Sequence, residues 1–146
     1  MEKKQNIEAL LAEEYAVRIK PQGFSMYPLF VPGRDEAVIE PADGRKLRRG
    51  DVALYRRTAG ILVLHRIWKC RPEGFYMVGD NQKETEGPIG RAQIKGILTG
   101  VVRDGHFFSA SHPLYRFLSL FWLWLRPLRP LLSRMVSRLK RYKKMF

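Results

Sequence analysis

The sequence predicts a mainly β fold: a coiled, mostly antiparallel sheet with a short N-terminal helix and a C-terminal apolar and basic helical appendage. Three observations carry this. Short runs rich in β-branched and apolar residues recur between positions 15 and 102, separated by Gly, Pro and Asp turns. Helical spacing of apolar residues is confined to the two ends. From position 107 the alternating pattern gives way to an aromatic, apolar run and then to a basic one. The expected organisation is a β domain over residues 1–106 and a membrane-associating tail over 107–146.

The elements follow in order. Residues 3–15 predict a short amphipathic helix, with Ile7, Leu10, Leu11 and Tyr15 at helical spacing. Tyr15 to Ile19 alternates, as does Ala37-Val38-Ile39 between Pro32-Gly33 and Pro41. Asp51 to Tyr55 follows a turn at Gly50, and Ile61 to Ile67 is β-branched and apolar. The Thr58-Ala59-Gly60 turn joins these two as a hairpin. Phe75 to Val78 and Ile94 to Val102 complete the strands. Near Asp104-Gly105 the β pattern stops. His112-Pro113 opens the almost wholly apolar run Leu114 to Leu125, and Pro127 and Pro130 end any helix there. Beyond them Leu131, Leu132, Met135, Val136, Leu139 and Tyr142 mark one face of a basic amphipathic helix.

The 146 residues fit one domain with an appendage, and 45% hydrophobic residues suffice for a core but not for a multi-span membrane protein. Cys70 stands alone, so an internal disulfide is excluded. Residues 7–19 are broken by Glu8, Glu13, Glu14 and Arg18, and no signal-peptide core is expected there. Of the 27 basic residues, eight lie between Arg126 and Phe146 with no acid among them. A basic tail beside aromatic residues points to an anionic membrane surface as partner, and no nucleic-acid partner is expected. A bilayer span needs about 20 apolar residues. Leu114–Leu125 supplies 12, and extending back to Phe107 takes in His112 and Pro113. A span, an interfacial anchor and a helix packed on the β domain all remain open readings, with the interfacial anchor favoured by tryptophans beside arginines.

Three short stretches carry chemistry. Gly23-Phe24-Ser25-Met26-Tyr27-Pro28 is a tight loop that can present the Ser25 hydroxyl. Gly23 permits close backbone approach, Met26 adds apolar bulk, and the Ser25 N–H can point at a developing oxyanion, so Gly23, Ser25 and Met26 are expected to line the oxyanion and substrate site. His65, at the end of a β-patterned run, can take the Ser25 proton as general base. An ordinary histidine base predicts activity that falls as pH drops through about 6.5. Asp80, in Val78-Gly79-Asp80-Asn81, can hold His65 in the productive tautomer, and Glu84 and Glu86 in the same polar stretch are alternatives. A turn serine, a strand histidine bonded to a carbonyl, and an aspartate capping its own turn are the plain structural roles of the same residues. Three scattered histidines and one cysteine give no metal-ligand spacing, and neither metal nor cofactor is expected.

In this order, the stretches resemble the signal peptidase I and LexA-like serine peptidase superfamily. Gly23–Pro28 resembles its nucleophile box, and Arg49-Gly50-Asp51-Val52-Ala53-Leu54-Tyr55 a strand box. Leu64-His65-Arg66-Ile67 resembles its general-base box, and Val78–Asn81 its Gly-Asp-Asn box. Histidine at the base position resembles the endoplasmic-reticulum and archaeal-type members rather than the lysine type. The resemblance implies catalysis by Ser25, His65 and Asp80, with Glu86 at a second acid position, and a peptide or protein precursor as substrate, bound as an added strand. It departs in having Gly23 where a serine often supports the oxyanion, and in placing its apolar segment C-terminally. The expected activity is endoproteolytic removal of a signal or leader peptide. A non-catalytic membrane-binding adaptor on the same fold is the alternative.

Overall fold

The computed structural model describes residues 6–128 except 22, 24, 28 and 59, together with 131, 134, 135, 137–139 and 141. The N-terminal helix α1 spans Ile7–Ala12, shorter than the 3–15 the periodicity suggested. Asn6 caps it, its Oδ1 accepting from Ala9 N at 3.3 Å. Among the described residues eight strands follow: β1 Val17–Ile19, β2 Asp35–Pro41, β3 Val52–Arg56, β4 Leu62–Arg71, β5 Gly74–Val78, β6 Glu86–Ile89, β7 Ile94–Arg103 and β8 His106–Ser109. All pair antiparallel in one sheet, ordered β1-β2-β7-β3-β4-β5-β6, with β8 on β7. The predicted fold class is therefore the observed one. Two strands were not anticipated. β6 contains Gly87 and Pro88, and β8 belonged to the expected tail. Because β8 is bonded to β7, the sheet continues through Ser109, past the expected boundary at 106.

The sheet is buried on both sides, which the side-chain alternation of β3 makes visible. Val52 and Leu54 enter a core with Leu11, Met26, Phe30, Ile39 and Leu98. Ala53 and Tyr55 enter a second core with Leu47, Ile67, Met77, Ile94 and Ile97. Asp35, at the start of β2, ties the first core's rim: its carboxylate accepts from Arg34, from Arg103 of β7 at 2.7 Å, and from Val31 N at 2.8 Å. Burial alone would raise its pKa, but these donors hold it down at about 2.

The apolar segment forms helix α2, Pro113–Trp124, with Pro113 in its first turn and His112 Nδ1 accepting from Leu114 N at 3.2 Å. One face packs on the β domain. Ser119 and Leu123 are buried, Arg116 pairs with Asp51 at 3.2 Å, and Trp122 Nε1 donates to Asp80 O at 2.9 Å. Just past the helix, Arg126 donates to Lys83 O and covers the ring of Trp68 at 4.9 Å, with Arg49 4.7 Å from the same ring. The other face leaves Leu114, Phe117, Leu118, Phe121 and Trp124 exposed. Twelve residues extend about 18 Å, short of a ~30 Å hydrocarbon core. Among the described residues no helix is long and apolar enough to cross a membrane. The described tail residues from Leu131 to Arg141 are helical, while Leu132, Val136 and Tyr142 of the predicted apolar face lie outside the described set.

Candidate active site

The Ser25 loop and the Gly79-Asp80-Asn81 loop, more than fifty residues apart in sequence, meet through backbone. Asn81 N donates to Ser25 O at 2.9 Å. A Cβ at Gly79 would stand 2.6 Å from that same Ser25 oxygen, so only glycine permits this approach. Gly23 differs from expectation. Nothing lies within 4 Å of a Cβ built there, and its glycine is explained by φ +75° at the loop entrance. Met26, expected beside the substrate, is buried in the first core and anchors the loop from below. Ser25 is half-buried, and its hydroxyl and N–H meet no partner among the described residues. Phe24 and Pro28 lie outside the described residues.

His65 is buried, paired across the ladder with Ala53. Its Nδ1 lies 3.2 Å from the Tyr55 hydroxyl, with the two rings edge to face at 6.1 Å. That hydroxyl donates to Glu86 Oε2 at 2.9 Å. Glu86 also accepts from Arg57, at 2.8 Å from both Nε and Nη2. Burial would raise the Glu86 pKa, but Arg57 and Tyr55 outweigh it and hold it below the usual value. Burial lowers the His65 pKa to about 4, with Arg57 adding to the effect and Glu86 and Asp80 opposing it. The ring is thus neutral at pH 7, and its protonation falls near pH 4 where the sequence alone suggested about 6.5.

The role expected of Asp80 falls elsewhere. Its carboxylate accepts from Arg66, at 2.7 Å from Nε and 2.8 Å from Nη2, with both side chains buried. Arg66 also donates to Gly50 O at 2.8 Å. Burial opposes the Arg66 charge, but Asp80 more than offsets it and raises the pKa. His65 Nδ1 therefore meets Tyr55 where the sequence suggested Asp80, while the Asp80 charge contributes to the field at His65. Of the three acids the sequence offered, Asp80, Glu84 and Glu86, Glu86 is the one hydrogen-bonded towards the histidine, through Tyr55.

A cleft of about 750 Å³ opens over His65 and is lined by Arg57, Met77, Asn81, Lys83 and Glu86, with Glu84 exposed at its rim. Asn81 joins this cleft to Ser25, but Ser25 Oγ and His65 share no hydrogen bond, and catalytic bonds of this kind often tighten only with substrate present. A cleft of about 770 Å³ between α2 and β7–β8 touches neither residue. Among the described residues no three His, Cys, Asp or Glu side chains gather as a metal site.

Sequence reasoning missed Tyr55, Arg57 and the pairing role of Arg66. The signal for Tyr55 was present. A hairpin centred on the Thr58–Gly60 turn pairs Ala53 with His65 and Tyr55 with Val63, which puts Tyr55 and His65 on one face as diagonal neighbours. Comparison of the chain with protein-family models, with curated proteins and with solved structures finds no match.

Proposed function

We propose that the protein is a membrane-associated serine endopeptidase that cleaves an extended segment of a signal-peptide or leader-peptide precursor. The observation that carries this reading is the histidine. His65 is buried, neutral, bonded at Nδ1 and open to a cleft whose rim is bonded to the Ser25 loop. In the reaction Ser25 Oγ attacks the scissile carbonyl while His65 Nε2 takes its proton. The tetrahedral oxyanion is met by the Ser25 N–H. Collapse breaks the C–N bond as His65 returns the proton to the leaving amine, and water then repeats the sequence on the acyl-enzyme. Asp80, held by Arg66, fixes the loop that positions Ser25 and adds negative potential near the imidazolium. Both ends of the sheet order suit an added substrate strand: β1 runs into the Ser25 loop, and β6 begins at Glu86.

The membrane reading rests on α2 and the tail. The exposed Leu114, Phe117, Leu118, Phe121 and Trp124 adjoin a helical tail carrying Arg134, Arg138 and Arg141 around one groove. Apolar rings for the acyl boundary and arginines for anionic headgroups suit an interfacial element. The opposite face of α2 holds Asp80 by its carbonyl through Trp122, and Arg126 just past the helix holds Lys83 likewise, so the lipid-facing helix is bonded to the loop that carries Asp80.

The absence of a Ser25–His65 hydrogen bond favours a second reading, a non-catalytic adaptor on the same fold. The test is mass spectrometry of precursor peptides incubated with the full chain on anionic vesicles. One cut at one position supports the peptidase. No cut in either small-x-small or leader-type precursors supports the adaptor.

A further inference from the structure

We infer that Tyr55 is a positioning residue that links Glu86 to His65 and fixes the tautomer in which Nε2 is the base. This rests on the reading of His65 as the general base. Ionised Glu86 has no proton to give, being held as a carboxylate by Arg57. The Tyr55 oxygen lies 2.9 Å from it, so the one phenolic proton must point at Glu86, since two acceptors at that distance would repel. The Tyr55 oxygen is then an acceptor towards His65, 3.2 Å away, and Nδ1 must carry the ring proton. Nε2 is left with its lone pair, which is the state that can take a proton from a serine. Burial, and then Glu86, raise the Tyr55 pKa, so the phenol keeps its proton throughout the working range.

The arrangement also explains how a base buried to the point of being hard to protonate can still work. When His65 becomes an imidazolium, its Nδ1–H donates to an oxygen polarised by a carboxylate one bond further away. The groups facing His65 are Tyr55, Arg57, Glu86 and Asp80, and the acidic partner closest in the hydrogen-bond chain is Glu86, not the aspartate of the Gly-Asp-Asn turn.

The test is a nitrogen-15 spectrum of the full chain labelled at histidine, with the His65 signals identified by their loss in His65→Gln. In the wild type at pH 7, His65 is neutral with the proton on Nδ1. In Tyr55→Phe, which keeps the ring and loses the hydroxyl, the proton moves to Nε2. Glu86→Gln provides a second variant: its amide faces the Tyr55 oxygen, turns the phenolic proton towards Nδ1 and produces the same shift. With any precursor the enzyme cleaves, Tyr55→Phe lowers kcat by roughly 10²-fold, within the span a general base contributes, and leaves KM unchanged. An Nε2–H tautomer in the wild type, an unchanged tautomer in both variants, or full kcat in Tyr55→Phe overturns the inference. If Nδ1–H is found but no precursor is ever cut, the relay stands and the peptidase reading fails.

Discussion

Burying His65 in its neutral form makes the fold sensitive to mild acid. With a pKa of about 4 in the folded chain and about 6.5 unfolded, the unfolded chain binds more protons at any pH between the two. Stability is therefore full above about pH 6.5 and is lost as pH falls towards 4. Linkage gives a loss of about 2 kcal/mol from pH 8 to pH 5, approaching about 3 kcal/mol near pH 4. Asp35 acts in a separate window. Its pKa of about 2, against 3.8 unperturbed, supplies stability that is complete above about pH 4 and lost between there and pH 2. At pH 5 the Asp35 contribution is still intact, and the comparison with a His65 variant separates the histidine effect from the carboxylates. The assay is urea unfolding at pH 8, 6 and 5, comparing wild type with His65→Gln, which removes the titration but keeps a polar side chain near Tyr55. The variant is less stable at pH 8 and loses about 2 kcal/mol less than wild type by pH 5. Parallel curves for the two proteins would refute the reasoning, because they would mean that His65 titrates alike in both states.

Other expectations follow from the same geometry. Arg66→Met removes both guanidinium bonds to the buried Asp80 carboxylate, and should destabilise by about 3–5 kcal/mol in denaturant unfolding. Gly79→Ala drives a methyl into the Ser25 carbonyl, so a loss of about 1–3 kcal/mol is expected, with cleavage falling further than stability alone explains. Replacing exposed Phe117 and Trp124 together by serine should weaken binding to anionic vesicles by at least tenfold in a sedimentation assay, with unfolding unchanged.

Most of the sheet was legible because its strands are long enough to show their own pattern. β3, β4 and β7 alternate or run apolar between glycine turns, and both faces of β3 are core. β6 gave no signal, since Gly87 and Pro88 occupy half of a four-residue strand at the end of the sheet order, paired with β5. β8 was hidden by its own phenylalanines, which read as the start of the apolar tail, whereas their backbone pairs with β7 and the Phe107 ring lies against Gly100. Within the site, Ser25, His65 and Asp80 were visible because short motifs announce them. The partner of His65 was not, because it depends on side chains from three strands: Tyr55 on β3, His65 on β4 and Glu86 on β6. Register, not local sequence, brings those together. The Gly-Asp-Asn turn suggested Asp80 for the histidine, but Arg66, one residue further along β4 and so facing the other side of the sheet, takes the carboxylate.

The central claim is that Ser25 is a nucleophile. It is tested most directly by co-expressing the full chain with a membrane-anchored precursor bearing a small-x-small site, as wild type and as Ser25→Ala, and weighing the products. The account predicts one cut with wild type and none with Ser25→Ala, while the variant protein accumulates and unfolds like wild type. The same cut in both would contradict it.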